Sequence, residues 1–342
     1  MHKLARISIY LLVALGVISM MTSCDDNFIF ETQGDCTPKY KVRFRYDWNL
    51  KFADAFSHEV GQVTLYLVDG DGSVVWSRHE GGPEVKAEGY MMDVNIEPGT
   101  YSLLAWAGEG HRTHFTIPEA DRHDALRCTM RRDRGAEGLA ESSIALEGLY
   151  HGFLADVVFS EGEGTHIVTM PLMKNTNDVT VVLQHLSGER VNSDKFRFEI
   201  ETDNGLMEWD NTLLSDETII YRPWKVTEGT AAIYPPEADK GSSRATESFS
   251  AAVANLSIAR LVKERPVRLS VYNVETGSRV FSIPLIDYAL LVKGKYGSMP
   301  DQEYLDRQDD YNMTFFLDDD DNWFSSYIYI NSWKVLLQNA WF

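Results

Sequence analysis

Apolar and polar residues alternate along much of this chain with a period of two. Val42, Phe44, Tyr46 and Trp48 alternate with charged residues in the clearest example. Successive side chains of a β-strand point to opposite faces, so this pattern predicts strands with one buried face. A helix would repeat its apolar residues every three or four positions instead. The chain is therefore predicted to be all-β.

Turn residues separate the apolar runs at intervals of about ten residues. The Asp-Gly-Asp-Gly stretch at 69–72 predicts a hairpin, because glycine readily adopts the positive φ of such turns. Residues 97–99, Glu-Pro-Gly, predict a second hairpin on the same grounds. Short antiparallel strands at this spacing are typical of a β-sandwich. Residues 118–143 are rich in charge and predict a long surface connection, whereas residues 286–308 predict short helices.

The chain has 342 residues, which is more than one hydrophobic core usually serves. The alternation of apolar and polar residues is interrupted at residues 174–177, Lys-Asn-Thr-Asn, and then resumes as before. We therefore place a domain boundary there. The predicted organisation is a signal peptide at 1–23, a tether at 24–38 and two β-sandwich domains at 39–174 and 175–342. The predicted short helices belong to the second domain.

The first 24 residues are typical of a lipoprotein signal. Lys3 and Arg6 precede an uncharged apolar run at 7–21, and two small polar residues precede Cys24. The run is shorter than the roughly 20 apolar residues that a transmembrane helix needs, which favours cleavage. The thiol of Cys24 is then predicted to carry lipid as the new N-terminus. This predicts a lipid-anchored protein of the cell outer membrane that is exposed on the surface.

Charge and cysteine content narrow the classes of partner. Without its signal the chain has 30 basic and 51 acidic residues and a net charge of −21, which argues against nucleic acid as a partner. Cys36 and Cys128 remain beside Cys24, and an oxidising compartment permits a disulfide between them, although the sequence does not establish the pairing. The two lack the spacing and the clustered histidines of a metal site.

No motif in the sequence carries recognisable catalytic chemistry, which predicts a protein that is not an enzyme and has no cofactor. His111 and His114 would lie on opposite faces of an extended segment and so do not predict a metal site. The acidic turns at 69–73 and 318–321 leave calcium binding open. A plain turn is favoured at the first, because Val74 occupies the position where a calcium loop requires glycine.

Residues 42–69 resemble the FimB-like fimbrillin-associated anchor proteins of type V fimbriae, beginning with Val-Arg-Phe-Arg-Tyr-Asp-Trp-Asn-Leu. Residues 98–106, 149–152 and 170–177 match further pieces of that family in order. The resemblance implies two tandem transthyretin-like antiparallel β-sandwich domains. It also implies a lipoprotein that anchors a fimbria to the outer membrane, limits its length and has fimbrial subunits as partners.

Fimbrial subunits of this type polymerise by strand addition, in which one chain completes the sheet of another. Residues 327–342 are apolar on both faces and are predicted to be an exchange strand. The residues that carry this prediction are Tyr327, Tyr329, Trp333, Val335 and Leu337. A resident strand of the second sandwich remains the alternative. The resemblance leaves open whether the anchor offers a groove or donates a strand.

A second hypothesis of a different class is a surface lipoprotein that captures glycan for a nutrient-uptake system. Lipidation, acidity and the high aromatic content of the chain are compatible with it. It predicts an exposed row of aromatic side chains that includes Trp209, Trp224 or Trp323.

Overall fold

The structure is a computed structural model that describes residues 38–110, 114–233 and 247–337. The predictions on Cys24, Cys36 and His111 concern residues outside these ranges, as does the predicted signal peptide.

Strands dominate the described residues. The strands of the first half are β1 (Lys39–Arg45), β2 (Gln62–Val68), β3 (Val74–Gly81), β4 (Met91–Val94), β5 (Gly99–Gly108), β6 (Phe115–Thr116), β7 (Cys128–Met130), β8 (Asp133–Arg134), β9 (Ala140–Ser142), β10 (Leu149–Phe159), β11 (Thr165–Pro171) and β12 (Met173–Lys174). Those of the second half are β13 (Thr176–His185), β14 (Phe196–Thr202), β15 (Leu206–Met207), β16 (Ile219–Tyr221), β17 (Lys225–Ile233), β18 (Glu247–Ala259), β19 (Arg268–Asn273), β20 (Arg279–Pro284), β21 (Asp310–Leu317), β22 (Tyr327–Ile330) and β23 (Trp333–Leu336). The α-helices are α1 (Phe56–Glu59), α2 (Leu285–Leu290) and α3 (Asp301–Arg307). This is the predicted all-β sandwich fold with short helices near its end.

The N-terminal half contains a three-stranded sheet, β11-β1-β4, and a five-stranded sheet, β12-β10-β5-β2-β3. Val42 and Phe44 of β1 are buried in one core with Leu65 and Leu67 of β2. Burial alternates along β1 as its sequence predicts, with the basic residues on the outer face. The hairpin predicted at 69–72 is confirmed, because β2 and β3 pair antiparallel on either side of it.

Strand β1 lies in the middle of its sheet. It pairs in parallel with β11 from Lys39↔Thr165 to Arg45↔Pro171 and antiparallel with β4 over four residue pairs. Both of its edges are therefore occupied by strands of the same sandwich.

The C-terminal half contains two six-stranded sheets and a small three-stranded one. Their orders are β17-β18-β13-β21-β22-β23, β20-β19-β14-β16-β9-β8 and β15-β7-β6. Val181 and Leu183 of β13 and Phe315 of β21 are fully buried in the second core together with Leu269 of β19. Most pairs are antiparallel, but β13 pairs in parallel with β21, and β16 with β9.

The hairpin predicted at residues 97–99 is wrong. Strand β4 before this turn pairs with β1 in the three-stranded sheet, whereas β5 after it pairs with β2 and β10 in the other sheet. The turn therefore carries the chain from one layer of the sandwich to the other. Both strands bury one face in the same core, so their alternation is the same as in a hairpin.

The long surface connection predicted at residues 118–143 is also wrong. Leu126, Cys128, Met130 and Ala140 are buried in the second core. Strand β9 extends a sheet of the second half through its parallel pairing with β16, and β7 pairs with β15. Part of the first half of the chain thus completes the second half, and the predicted domain ranges stay a prediction.

A single residue, Asn175, separates β12 of the N-terminal five-stranded sheet from β13 at the centre of a C-terminal sheet. Asn175, Thr176 and Asn177 are all buried, although the sequence reads as a polar interruption. The Asn175 and Asn211 side-chain amides hydrogen-bond each other reciprocally at 2.7 and 3.1 Å. Buried polar groups need such partners, and here the two hydrogen bonds fix the connecting residue Asn175 to the C-terminal half.

The helices α2 and α3 are six and seven residues long. No helix in the described ranges is long and apolar enough to cross a bilayer.

Candidate functional site at the sheet edge and the domain junction

The C-terminal segment predicted as one exchange strand forms two strands, β22 and β23, that pair with each other. Asn331 and Ser332 between them have φ values of 46° and 69°. Two consecutive positive φ values allow a two-residue turn of the kind favoured in hairpins. The Asn331 side chain accepts a hydrogen bond from the Asn312 N–H at 2.8 Å, which ties the turn to β21.

This hairpin is a resident part of its sheet, because β22 pairs with β21. Strand β23 is the outermost strand of the described sheet. Trp333 and Leu336 on it are 63% and 64% exposed. Its outer edge is one of two edges of this sheet where another chain can add a strand, the other being that of β17.

The five predicted exchange residues have different surroundings. The Tyr327 and Tyr329 rings are half-buried against Phe316, at centroid distances of 5.0 and 5.9 Å. Val335 and Leu337 are also half-buried, so Trp333 is the most exposed of the five. An exchange role for these residues stays a prediction. Of the two strands that contain them, β23 is the one with an accessible edge.

The predicted disulfide also stays a prediction. Cys128 is buried in strand β7, whereas Cys36 lies outside the described residues.

The two acidic turns are built around their own first aspartates. Asp69 accepts backbone N–H groups of Asp71 and Ser73, and Asp318 accepts those of Asp320 and Asn322, all at 2.8–3.0 Å. Aspartate commonly organises turns in this way. Among the described residues, no group of three or more acidic, His or Cys side chains is arranged to hold a metal ion.

A polar cluster crosses the junction between the two halves. The Tyr46 hydroxyl, fully buried at the end of the first strand, donates to the Asp309 carboxylate just after α3. Nearby, the Tyr150 hydroxyl donates to Glu59 at 2.8 Å, and the Lys174 ammonium lies 3.5 Å from the same carboxylate. Burial raises the pKa of Asp309 to about 6, while Lys174 opposes the shift.

Arg307 forms a second contact across the junction. Its guanidinium lies 3.9 Å from the centre of the Trp48 ring and 4.8 Å from that of Phe52. It also donates to the Asp47 carbonyl at 3.1 Å and to Glu303 at 2.9 Å. A buried cation over aromatic faces is a stronger contact than an exposed one, so residues 47–52 are held firmly on α3.

A third contact involves His151 and the loop at Trp209. Burial lowers the pKa of His151 to about 4, so the imidazole is neutral at neutral pH. Its Nε2 donates to the Trp209 carbonyl at 2.8 Å, and the Trp209 ring packs against His123 and Phe153.

Comparison with known proteins shows to which protein family this chain belongs. The model of the fimbrillin-A associated anchor proteins Mfa1 and Mfa2 matches residues 33–339. The chain belongs to this family. The resemblance of its sequence to fimbrillin-associated anchors is thereby confirmed.

Solved structures similar to this anchor-family protein support the fold. A candidate adhesin from Bacteroides thetaiotaomicron is 32% identical with a TM-score of 0.77, covering 90% of this chain and 100% of its own. A candidate polysaccharide-binding protein of the same organism is 28% identical with a TM-score of 0.73, covering 88% and 98%. The fimbrial anchor Mfa2 of Porphyromonas gingivalis is 16% identical with a TM-score of 0.63, covering 88% and 99%. No curated protein sequence matches the chain.

Three of the four stretches that carry the family resemblance make contacts at the junction. Trp48 and Phe52 lie on Arg307, His151 contacts the Trp209 loop, and Asn175 pairs with Asn211. In this member of the anchor family, these motifs therefore hold the two halves in a fixed arrangement. Arg307 and Asp309 were not predicted as functional residues, because their partners are far away in sequence.

Proposed function

We propose that this protein is a lipoprotein that anchors a fimbria to the outer membrane and limits its length. Acylation of Cys24, with palmitate among the acyl chains, attaches it to the membrane, because two or more chains give stable anchoring. The tether at 24–38 then leads directly into β1. Membership of the anchor family supports a fimbrial protein as the partner.

We further propose that a fimbrial subunit adds a strand to the outer edge of β23. The observation that carries this proposal is the exposure of Trp333 and Leu336 on the outermost strand of the sheet. Strand addition gains affinity from main-chain hydrogen bonds and specificity from alternate side chains. A subunit bound here caps the polymer at its base, since the other end of this chain is attached to the membrane.

Anchoring is tested by a Cys24→Ala substitution in the native bacterium. We expect the protein to move from the outer-membrane fraction to the soluble fraction, and fimbriae to be shed into the medium. Mass spectrometry of proteins recovered with the wild-type lipoprotein from membranes should identify a fimbrial subunit. Fimbriae retained on cells that carry Cys24→Ala, or recovery of transporter components without any fimbrial protein, would contradict the proposal.

The binding edge is tested with Trp333→Lys and Leu336→Lys, because lysine on an edge strand opposes strand addition. We expect each to weaken capture of the fimbrial subunit at least tenfold without changing the midpoint of thermal unfolding, since both side chains are exposed. Val226→Lys, at the opposite edge of the same sheet, is the matched control, because Val226 is 43% exposed. Loss of capture in the control alone would place the interaction at β17 instead.

Glycan capture remains a second candidate because one similar structure is described as a candidate polysaccharide-binding protein. The tryptophans do not support the row that this hypothesis predicts. Trp209 packs on His123 and Phe153, and Trp323 packs against Phe281, so Trp224 is the one exposed member of the three. Glycan binding therefore requires a different site.

A further inference from the structure

Four aromatic side chains form a cluster beside the edge strand β23. They are Phe316 of β21, Phe324 of the connection that follows, and Tyr327 and Tyr329 of β22. The Tyr327 ring centre lies 5.0 Å from that of Phe316, 6.0 Å from that of Phe324 and 6.1 Å from that of Tyr329. All four side chains are half-buried and pack on one another outside the two hydrophobic cores of the described residues. We call this surface the aromatic face.

Strand alternation fixes the direction of these side chains. Phe315 of β21 is fully buried, so Phe316 next to it points to the opposite side of the sheet. In β22, the fully buried Ile328 lies between Tyr327 and Tyr329, which turns both tyrosines outward. The aromatic face is therefore on the side of the sheet that is turned away from the second core.

The aromatic face continues onto the exposed edge strand. Leu336 of β23 pairs with Tyr327, and Lys334 pairs with Tyr329, so the paired side chains project on the same side. Leu336 is 64% exposed, and the Lys334 ammonium lies 4.0 Å from the centre of the Tyr327 ring. An apolar row thus runs from the edge of the sheet across three strands to Phe316.

The charge of this surface differs from that of the chain as a whole, which has 51 acidic residues. In the described strands, no outward residue carries a carboxylate after Asp178 in β13, after Asp310 in β21, or anywhere in β22 and β23. The centres of protein interfaces are likewise enriched in aromatic residues and depleted in Asp and Glu. This composition is typical of a surface that contacts another protein.

The short length of β23 indicates that a partner needs more surface than the edge alone. Its four residues span about 13 Å, at 3.3 Å per residue. A stable protein interface buries roughly 800 Å² on each partner, and main-chain pairing along so short an edge covers only part of that area. The aromatic face adjoins the edge and can supply the rest.

We propose that the fimbrial subunit that adds a strand to β23 also covers the aromatic face with apolar side chains. This inference rests on the proposed function, because the partner is the same. A glycan fits the face less well, since the rings meet at 52–88° and offer no common plane on which sugar rings could stack.

The test measures capture of the fimbrial protein that is recovered with the wild-type lipoprotein from membranes. Tyr327→Thr and Tyr329→Thr each remove a ring, and threonine is favourable in strands. We expect each to weaken capture at least tenfold, as truncation of an important interface residue does. Tyr272→Thr is the matched control, because Tyr272 is a half-buried strand tyrosine of the other six-stranded sheet. Its capture should equal that of the wild type.

A second measurement uses the unaltered protein and so does not depend on how the variants fold. Tyrosines are nitrated with tetranitromethane and located by mass spectrometry, in the purified lipoprotein alone and with the fimbrial protein bound. We expect the bound protein to slow the reaction of Tyr327 and Tyr329 several-fold and to leave that of Tyr272 unchanged.

The outcomes separate this inference from the proposed function. Weaker capture by Trp333→Lys and Leu336→Lys, with wild-type capture by both tyrosine variants, would overturn the inference and leave the proposed edge in place. Unchanged capture by all four variants would overturn both. Self-association of the purified lipoprotein that the tyrosine variants lose would assign the aromatic face to a second copy of this chain instead. Polysaccharide binding that the same variants lose would assign it to a glycan.

Discussion

Asp309→Asn should stabilise the protein by about 2 kcal/mol at pH 7 and have almost no effect at pH 4. Burial raises the pKa of Asp309 from its usual 3.8 to about 6, so the folded state binds the proton more tightly than the unfolded state. This group therefore contributes stability below about pH 4, and the contribution is lost as the pH rises through 6. A difference of about two pKa units corresponds to ~3 kcal/mol. Asparagine avoids the buried charge but must find a partner for its amide, which reduces the gain.

The measurement is the free energy of urea unfolding at several pH values from 4 to 7, for the wild type and Asp309→Asn. Asp310→Asn is the matched control, since Asp310 is adjacent in sequence but exposed. The free energy of unfolding of Asp310→Asn should differ from that of the wild type by an amount that varies little with pH. A destabilisation by Asp309→Asn that grows as the pH rises would contradict the prediction, because it would mean that the charged hydrogen bond with Tyr46 outweighs the cost of burial.

Arg307→Ala should destabilise the protein by about 3 kcal/mol. The substitution removes the contacts with Trp48 and Phe52 and the hydrogen bonds to Asp47 and Glu303. A desolvated cation over an aromatic ring contributes ~2 kcal/mol, and loss of a buried charge partner adds to this. Arg307→Lys should recover only part of the loss, because an ammonium group does not stack as the planar guanidinium does.

Urea unfolding and hydrogen exchange check this second prediction. Exchange should accelerate first at residues 47–52, which Arg307 holds on α3. Arg197→Ala is the matched control, because Arg197 stacks on Tyr272 at 4.7 Å but its side chain is 51% exposed. It should cost about 1 kcal/mol or less. A similar loss of unfolding free energy for Arg307→Ala and Arg197→Ala would contradict the prediction, because the buried contact at the junction would then stabilise the protein no more than an exposed one.

The sequence predicts local structure well where one strand face is buried. Burial along β1 and the hairpin around residues 69–72 are confirmed, because both depend on neighbouring residues. Alternation shows that a strand has a buried face but not which sheet contains the strand. This is why the turn at 97–99 appeared to be a hairpin.

Residues 118–143 contain the alternation of apolar and polar residues that is typical of a strand, but charged residues around it obscure the pattern. Leu126, Cys128 and Met130 alternate and are buried, yet the surrounding arginines make the segment resemble a surface connection. Arginine is compatible with such a position when acidic partners lie nearby, as Asp216 does for Arg132.

The junction could not be predicted from local patterns. Tyr46 and Asp309 are 263 residues apart, and Arg307 is 260 residues from Asp47. Single residues of this kind leave no periodic signal, and the fold alone brings them together. The division of the C-terminal segment into two strands likewise depends on the positive φ values of Asn331 and Ser332, and asparagine was the only hint of them.

The position of β1 has a mechanical consequence. A pull on the chain ahead of Lys39, directed along the strand, acts on the seven parallel pairs with β11 and the four antiparallel pairs with β4 at the same time. The hydrogen bonds are then loaded in shear and must break together, whereas a terminal hairpin peeled from its end loses them one at a time. Resistance to force depends on the rate of unfolding rather than on equilibrium stability alone. A pull on the start of the chain therefore acts on the N-terminal sandwich in the direction in which its hydrogen bonds best resist force.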